Sequence, residues 1–128
     1  MKDEINRLFP SGEWEGFYLY RSGQDAQRHR MDFRLTFRDG KIKGSGTDDV
    51  GTFNWLGNYD PTTYHVSMTK TYATHEVQYE GIADEAGIFG NWKMLFGSGG
   101  FHIWPKKQDE IATAAEVAEK KKKLTTTS

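Results

Sequence analysis

Four side chains of complementary chemistry fall on the same side of neighbouring alternating segments: Asp48, Lys70, Tyr72 and His75. A lysine amine can form a Schiff base with a carbonyl compound or hold an anion, and a histidine can exchange protons near neutral pH. An aspartate and a tyrosine beside them can orient both groups through hydrogen bonds. These residue types suit either the polar part of a ligand-binding site or catalysis on a small carbonyl compound.

A plainer interpretation is that these side chains fill the end of a barrel with a satisfied polar network. Burial of an unpaired ammonium costs roughly several kcal/mol, so Lys70 requires a partner such as Asp48 or the acid group of a ligand. Asp48 also borders a predicted turn, where aspartate is common for reasons of local structure. Because several polar groups converge at one end, we expect Lys70 and His75 to contact a ligand.

The elements that position these residues are eight segments. In each segment apolar and polar residues alternate, as they do in half-buried β-strands. They are 13–21, 30–38, 41–48, 51–59, 63–72, 75–82, 87–95 and 100–104. Asp39-Gly40 is a strong signal for a two-residue hairpin turn, and the GSGG stretch at 97–100 supplies the last connection. The 14% aromatic residues and fourteen glycines are also typical of β structure.

The lengths of the connections predict which strand residues face each other. The turn at 39–40 sets Phe37 opposite Ile42, and a four-residue connection at 60–63 sets Phe53 opposite Lys70. A turn at 85–86 sets Tyr79 opposite Trp92.

Propagated around the sheet, this register gives one mainly apolar face and one mainly polar face. The apolar face contains Trp14, Tyr18, Tyr20, Phe33, Leu35, Phe37, Ile42, Phe53, Trp55, Val66, Met68, Tyr79, Trp92, Met94, Phe101 and Ile103. Sequential hairpins of this kind predict an all-β fold, an eight-stranded antiparallel up-and-down β-barrel. A two-sheet sandwich would share most of these pairs.

The chain divides into a barrel domain with a short lead-in, residues 1–106, and a C-terminal part, residues 107–128. Ile111, Ala115 and Ala118 lie on one side of a predicted C-terminal α-helix, which a disordered basic and polar tail follows. Outward-facing apolar residues form a strip on strands that become neighbours when the barrel closes. This strip, which we expect to seat the helix or to join two subunits of a homodimer, consists of Phe17, Leu19, Phe89, Leu95 and Trp104.

Gly12-Glu13-Trp14, which follows Phe9-Pro10, resembles the G-x-W start of lipocalins. Eight strands followed by a long helix resemble calycin barrels, and the stretch GEWEGFYLY is also similar to the opening of avidin-like barrels. The resemblance implies a binder of small molecules with its pocket at the open end of the barrel.

An up-and-down order brings the inward polar residues to one end of the barrel. We predict that the ligand-binding residues are Tyr20, Asp48, Lys70, Tyr72, His75, Tyr79 and Trp92. An eight-stranded barrel holds at most one small ligand, and we expect an aromatic, acidic or carbonyl-bearing compound.

An alternative function is a cofactor-free isomerase, lyase or cyclase in which Lys70 and His75 act on a small carbonyl substrate. Asp48 and Tyr72 would then orient the two catalytic groups. A third alternative is an interaction module that uses the outer strip and the basic tail.

Composition excludes several other classes of function. The chain has no cysteine, so thiolate zinc sites and disulfides are excluded, and His29, His65 and His102 look outward or loop-borne without metal-ligand spacing. We therefore expect no metal and no cofactor. A net charge of −1 argues against nucleic-acid and membrane-surface partners, and the lack of a signal-like start predicts a cytoplasmic protein.

Overall fold

A closed antiparallel barrel forms the fold of this protein, as seen in a computed structural model that describes residues 4–20 and 27–106. The strands are β1 (Gly12–Tyr18), β2 (His29–Arg38), β3 (Lys41–Asp48), β4 (Thr52–Tyr59), β5 (His65–Tyr72), β6 (Glu76–Asp84), β7 (Gly87–Met94) and β8 (Gly97–Pro105). Each strand pairs with the next, and β1 pairs with β8. The predicted all-β, eight-stranded antiparallel barrel is confirmed, and the sandwich alternative is wrong because the ring of strands is continuous. The predicted helix lies outside the described residues.

The predicted register is correct on both sides of the 39–40 and 85–86 turns, but it differs by two residues between β4 and β5. Lys70 faces Trp55 rather than Phe53, because Tyr59 pairs with Val66, so six residues instead of four lie between the two paired residues. The backbone N–H of Asp60 closes this connection by donating to the carbonyl of His65 at 3.0 Å, and Tyr64 adopts a φ of 67°. Because side chains alternate with a period of two, Lys70 remains on the inner face.

The prediction that the GSGG stretch forms the last turn is wrong. β8 begins at Gly97, which pairs with Met94, so the turn consists of Leu95 and Phe96. A Cβ at Gly99 would lie 1.9 Å from a backbone carbonyl oxygen and 2.8 Å from Nε1 of Trp92. Glycine is therefore required at position 99 because the strand packs closely there, and not because a turn needs its backbone conformation.

The inner face of the barrel is the hydrophobic core, and fourteen of the sixteen residues predicted for it are buried. The exceptions are Tyr20 and Met94, which are 54% and 37% exposed because they stand at or beyond the ends of their strands. Buried apolar residues that the sequence analysis did not include are Phe9, Met31, Tyr59, Val77, Ala83 and Ile88.

The lead-in before β1 closes the lower end of the barrel, the end that carries the turns at 39–40 and 85–86. Phe9 is fully buried there, with its ring centroid 4.7 Å from that of Tyr59 and 5.5 Å from that of Phe37. Nε1 of Trp14 donates a hydrogen bond of 2.9 Å to the carbonyl of Pro10 and so fixes the lead-in across this end. The upper end carries the turns after β3, β5 and β7, and the described lead-in residues 4–11 do not reach it.

The predicted outer apolar strip lies on adjacent strands, since β1 pairs with β8 and β8 pairs with β7. The ring of Phe17 packs edge-on against Trp104 at 6.0 Å, and Phe89 is 40% exposed. Leu95 belongs to the turn after β7 instead of the strip on the strands. Among residues 4–20 and 27–106, the structure contains no helix of the length and apolar character needed to cross a membrane.

Candidate functional site

A buried ion pair lies below the upper end of the barrel. Lys70 points inward from β5, and its Nζ donates to Oδ2 of Asp48 at 2.7 Å and to the hydroxyl of Tyr72 at 3.0 Å. The hydroxyl of Tyr72 donates to the same carboxylate oxygen. The side chains of Lys70 and Asp48 are 1% and 0% exposed, so the pair is removed from bulk water.

Asp48 reaches this pair because it is the last residue of β3 and also caps the turn that follows. Its Oδ1 accepts hydrogen bonds from the backbone N–H groups of Val50 at 2.9 Å and Gly51 at 3.3 Å. One oxygen of the carboxylate thus holds the turn while the other faces Lys70. Asp48 is therefore both a turn residue and the inward partner of Lys70.

Five aromatic rings surround the ammonium of Lys70. The distances from Nζ to their centroids range from 4.6 to 5.6 Å, and the rings belong to Tyr18, Phe53, Trp55, Tyr72 and Tyr79. Ring faces attract cations, which helps to compensate for lost hydration. Burial nevertheless lowers the pKa of the Lys70 amine to about 8 from its ordinary 10.5, although the Asp48 carboxylate acts in the opposite direction.

A second polar cluster lies nearer the upper end. The hydroxyl of Tyr18 donates to Oδ1 of Asp49 at 2.6 Å, and Nδ1 of His29 lies 2.5 Å from Oδ2. The rings of His29 and Tyr18 stack with centroids 4.8 Å apart. Burial favours the neutral acid, but the hydrogen bonds from Tyr18 and His29 outweigh it and lower the pKa of the Asp49 carboxyl.

This cluster is not among the predicted site residues. The sequence predicts an outward or loop-borne His29, whereas the side chain is only 15% exposed and packs at the start of β2. The available signal was the Asp48-Asp49 pair at the upper turn, opposite the first residues of β2.

Above the ion pair, the upper end of the barrel contains a cavity of about 30 Å³, which we call the vestibule. It is lined by Tyr18, Tyr20, Val50, Tyr72, His75, Val77, Tyr79, Trp92 and Met94. Nε1 of Trp92 donates to the carbonyl of Leu19 at 2.8 Å, which holds the indole against the end of β1. The Lys70 side chain does not line the vestibule; it lies behind the wall that the tyrosines form.

Five of the seven residues predicted to bind a ligand line the vestibule: Tyr20, Tyr72, His75, Tyr79 and Trp92. The other two, Asp48 and Lys70, are joined to the vestibule through the Tyr72 hydroxyl. The structure therefore brings the predicted set together in two layers. Contact of these residues with a ligand remains a prediction.

The prediction that Tyr20 and His75 point into the core is wrong. Tyr20 lies beyond the end of β1, and His75 precedes the first residue of β6, so both stand on the rim outside the ladder of strand pairs. The exposed His75 ring packs against Tyr72 with centroids 4.8 Å apart, and its Nδ1 forms a 2.8 Å hydrogen bond with the hydroxyl of Thr74. These contacts place the imidazole beside the vestibule, and no contact joins it to Lys70 within the described part of the chain.

The phenols of Tyr18, Tyr72 and Tyr79 are neutral at physiological pH, because the pKa of each is raised. Burial, with the hydrogen bond to Asp49, raises the pKa of Tyr18 far above its ordinary value, and burial with the bond to Asp48 does the same for Tyr72. Burial and the charge of Asp48 also raise the pKa of Tyr79. No group of three or more potential metal ligands occurs among the residues that the structure describes.

The chain matches no protein-family model, no curated protein and no solved structure. The closed eight-stranded barrel is consistent with the calycin-type fold that the G-x-W start implies.

Proposed function

We propose that this barrel is a small-molecule binding protein and that its ligand occupies the vestibule. The observation that carries the proposal is a cavity walled by five aromatic side chains at the end of the barrel that the lead-in does not close. Ligand sites in proteins are typically concave and mostly apolar, with a few polar groups that fix orientation. Kinship with calycin barrels is part of the same proposal, and it rests on the closed eight-stranded ring and the Gly12-Glu13-Trp14 start.

The size of the vestibule limits the ligand to a compact group. A volume of about 30 Å³ accommodates little more than a water molecule, so entry of a ligand requires rim side chains to move. Val50 and Met94 are 49% and 37% exposed, and rotating them outward sacrifices little packing. The buried Lys70–Asp48 pair closes the floor, so the bound group is about the size of one ring.

The geometry supports the aromatic member of the predicted ligand classes most directly. A planar ring can pack against Tyr79 and Trp92, and such contacts contribute about 0.5–1.5 kcal/mol beyond area burial. An acidic or carbonyl group would have to reach Lys70, whose ammonium already donates to Asp48 and Tyr72 behind the wall. These two classes bind only if that network rearranges.

Three one-ring probes distinguish the classes: phenol, benzoate and benzaldehyde. Binding is measured by changes in the backbone amide NMR shifts, which we expect around the vestibule and not around Phe9 at the closed end. Met94→Trp should block binding, because Met94 lines the vestibule. Leu95→Trp is the matched control, since the neighbouring Leu95 is exposed in the turn and does not line it. Equal effects of the two substitutions, or shifts at neither end, would contradict the proposal.

The second candidate function is catalysis on a small carbonyl compound by Lys70 and His75. One observation favours it, namely that burial lowers the pKa of Lys70 to about 8, so a usable fraction of the amine is unprotonated near neutral pH. Benzaldehyde followed by borohydride should then attach a benzyl group to Lys70, as peptide mapping would show. Labelling at surface lysines alone would remove this candidate.

We also propose a homodimer through the outer apolar strip and a cytoplasmic location. Sedimentation of the wild type and of Phe89→Asp tests the dimer, because a buried charge within the strip would dissociate it. A wild type that sediments as a monomer at high concentration would exclude this interface.

A further inference from the structure

We propose that the vestibule selects a methylated ammonium group, an organic cation, over neutral and acidic compounds of the same shape. This inference rests on the proposed function. Three observations support this choice of chemical class. They are the arrangement of the rings, the charges around them, and the ammonium of Lys70, which three of the vestibule rings already contact.

Three rings of the vestibule stand at right angles to one another like the walls of a corner. Tyr18 and Tyr20 meet at 80°, and Trp92 meets each of them at 88°, with ring centroids 5.6 to 6.4 Å apart. All three line the cavity. Electron-rich aromatic rings gathered around one space are the recognised means by which proteins bind quaternary ammonium groups.

The described charges close to the vestibule do not oppose a cation. Two carboxylates, Asp48 and Asp49, stand against the single ammonium of Lys70, which is paired with Asp48 at 2.7 Å. With His29 neutral, these groups sum to one negative charge, and with His29 protonated they sum to zero. None of the described residues that line the vestibule is a lysine or an arginine, so an acidic ligand finds no free counter-charge among them.

The protein itself contains an example of this recognition. The Lys70 ammonium lies 4.6 Å from the ring centroid of Tyr18 and 5.2 Å from those of Tyr72 and Tyr79. These three rings also line the vestibule. The aromatic cluster thus already stabilises one cation away from bulk water, with a carboxylate behind it.

Three probes of nearly equal shape and different charge test the inference on the full chain: choline, its neutral carbon analogue 3,3-dimethylbutan-1-ol, and the anion 3,3-dimethylbutanoate. Dissociation constants come from amide NMR shifts of the vestibule residues during titration. We expect choline to bind at least about fivefold more tightly than the neutral alcohol, and the anion to bind most weakly.

The exposed Tyr20 supplies a variant that leaves the core intact. Tyr20→Leu keeps an apolar wall but removes a π face, so it should weaken choline binding severalfold while changing the neutral alcohol little. Tyr20→Phe is the conservative control and should bind choline as the wild type does.

The outcomes separate this inference from the proposed function. If the neutral alcohol binds as tightly as choline, or if Tyr20→Leu weakens both equally, the vestibule is an unselective apolar pocket, and only the cation inference fails. If the anion binds best, Lys70 is accessible and the inference is overturned in favour of an acidic ligand. If none of these three probes and none of the one-ring probes shifts the vestibule residues, both proposals fail.

Discussion

The buried lysine should make the protein more stable as the pH rises from 7 to 9. The pKa of Lys70 is about 8 in the folded protein, whereas the ordinary value, 10.5, applies to the unfolded chain. Between these values the unfolded chain binds more protons than the folded protein, so the free energy of unfolding increases with pH. Each unit of difference between the two pKa values corresponds to about 1.4 kcal/mol, and the part gained between pH 7 and pH 9 is about 1.3 kcal/mol.

The buried tyrosines limit this window at its upper side. The pKa values of Tyr18, Tyr72 and Tyr79 are raised by burial, so above pH about 10 the unfolded chain loses phenolic protons that the folded protein retains. Their contribution has the opposite sign and lowers stability. Measurements at or below pH 9 therefore isolate the effect of Lys70.

The assay compares the wild type with the double variant Asp48→Asn/Lys70→Met, which has no buried charge in this pair. Urea unfolding followed by tryptophan fluorescence gives the free energy of unfolding at pH 7, 8 and 9. The wild type should gain about 1.3 kcal/mol relative to the double variant over this range, since other contributions cancel. Lys43→Met, which removes an exposed lysine from β3, should retain the full gain. Parallel pH profiles of the wild type and the double variant would refute the reasoning.

Three further predictions concern stability, measured as urea midpoints at neutral pH. Asp48→Asn alone leaves the Lys70 ammonium buried without its counter-ion and should cost about 3 kcal/mol or more, which the added Lys70→Met recovers; a cost of the single change below about 1 kcal/mol would contradict the pairing. Gly99→Ala should cost about 3 kcal/mol because the added Cβ meets a backbone oxygen. The adjacent Gly100→Ala should cost less than about 1 kcal/mol, and equal costs would be inconsistent with the close approach at Gly99. Phe9→Ala should cost about 3–5 kcal/mol by emptying the closed end, and a change within 0.5 kcal/mol or so would mean that the lead-in does not seal the barrel.

The sequence predicts the barrel well because alternation and short turns are local properties that propagate. Once Phe37 faces Ile42 across a two-residue turn, every later strand inherits its inner and outer sides. An error of two residues between β4 and β5 does not change those sides, which is why Lys70 is correctly placed inside despite the wrong partner.

The errors occur where tertiary contacts override local signals. The GSGG stretch resembles a turn, but Gly99 is required by the indole of Trp92 and by the backbone carbonyl of Leu19, and a local sequence window shows neither contact. Leu95 and Phe96 carry no turn signal, yet they form the connection.

The candidate site could be predicted as a group but not as two layers. Depth within a barrel depends on the stagger of its strands, which the pattern of residue types does not encode. For that reason the sequence could not show that Tyr72 separates Lys70 from the vestibule, or that His29 and Asp49 form a second cluster.

The pairing of β1 with β8 has a consequence for how the chain acquires its structure. Glu15 and Trp104, 89 residues apart, meet in that ladder, so the ring closes only after the last strand has been synthesised. Until then a nascent chain exposes two unpaired strand edges, and contacts between distant residues slow their burial. Proteins interrupted within β8 are therefore expected to associate with one another through those edges instead of persisting as seven-stranded monomers.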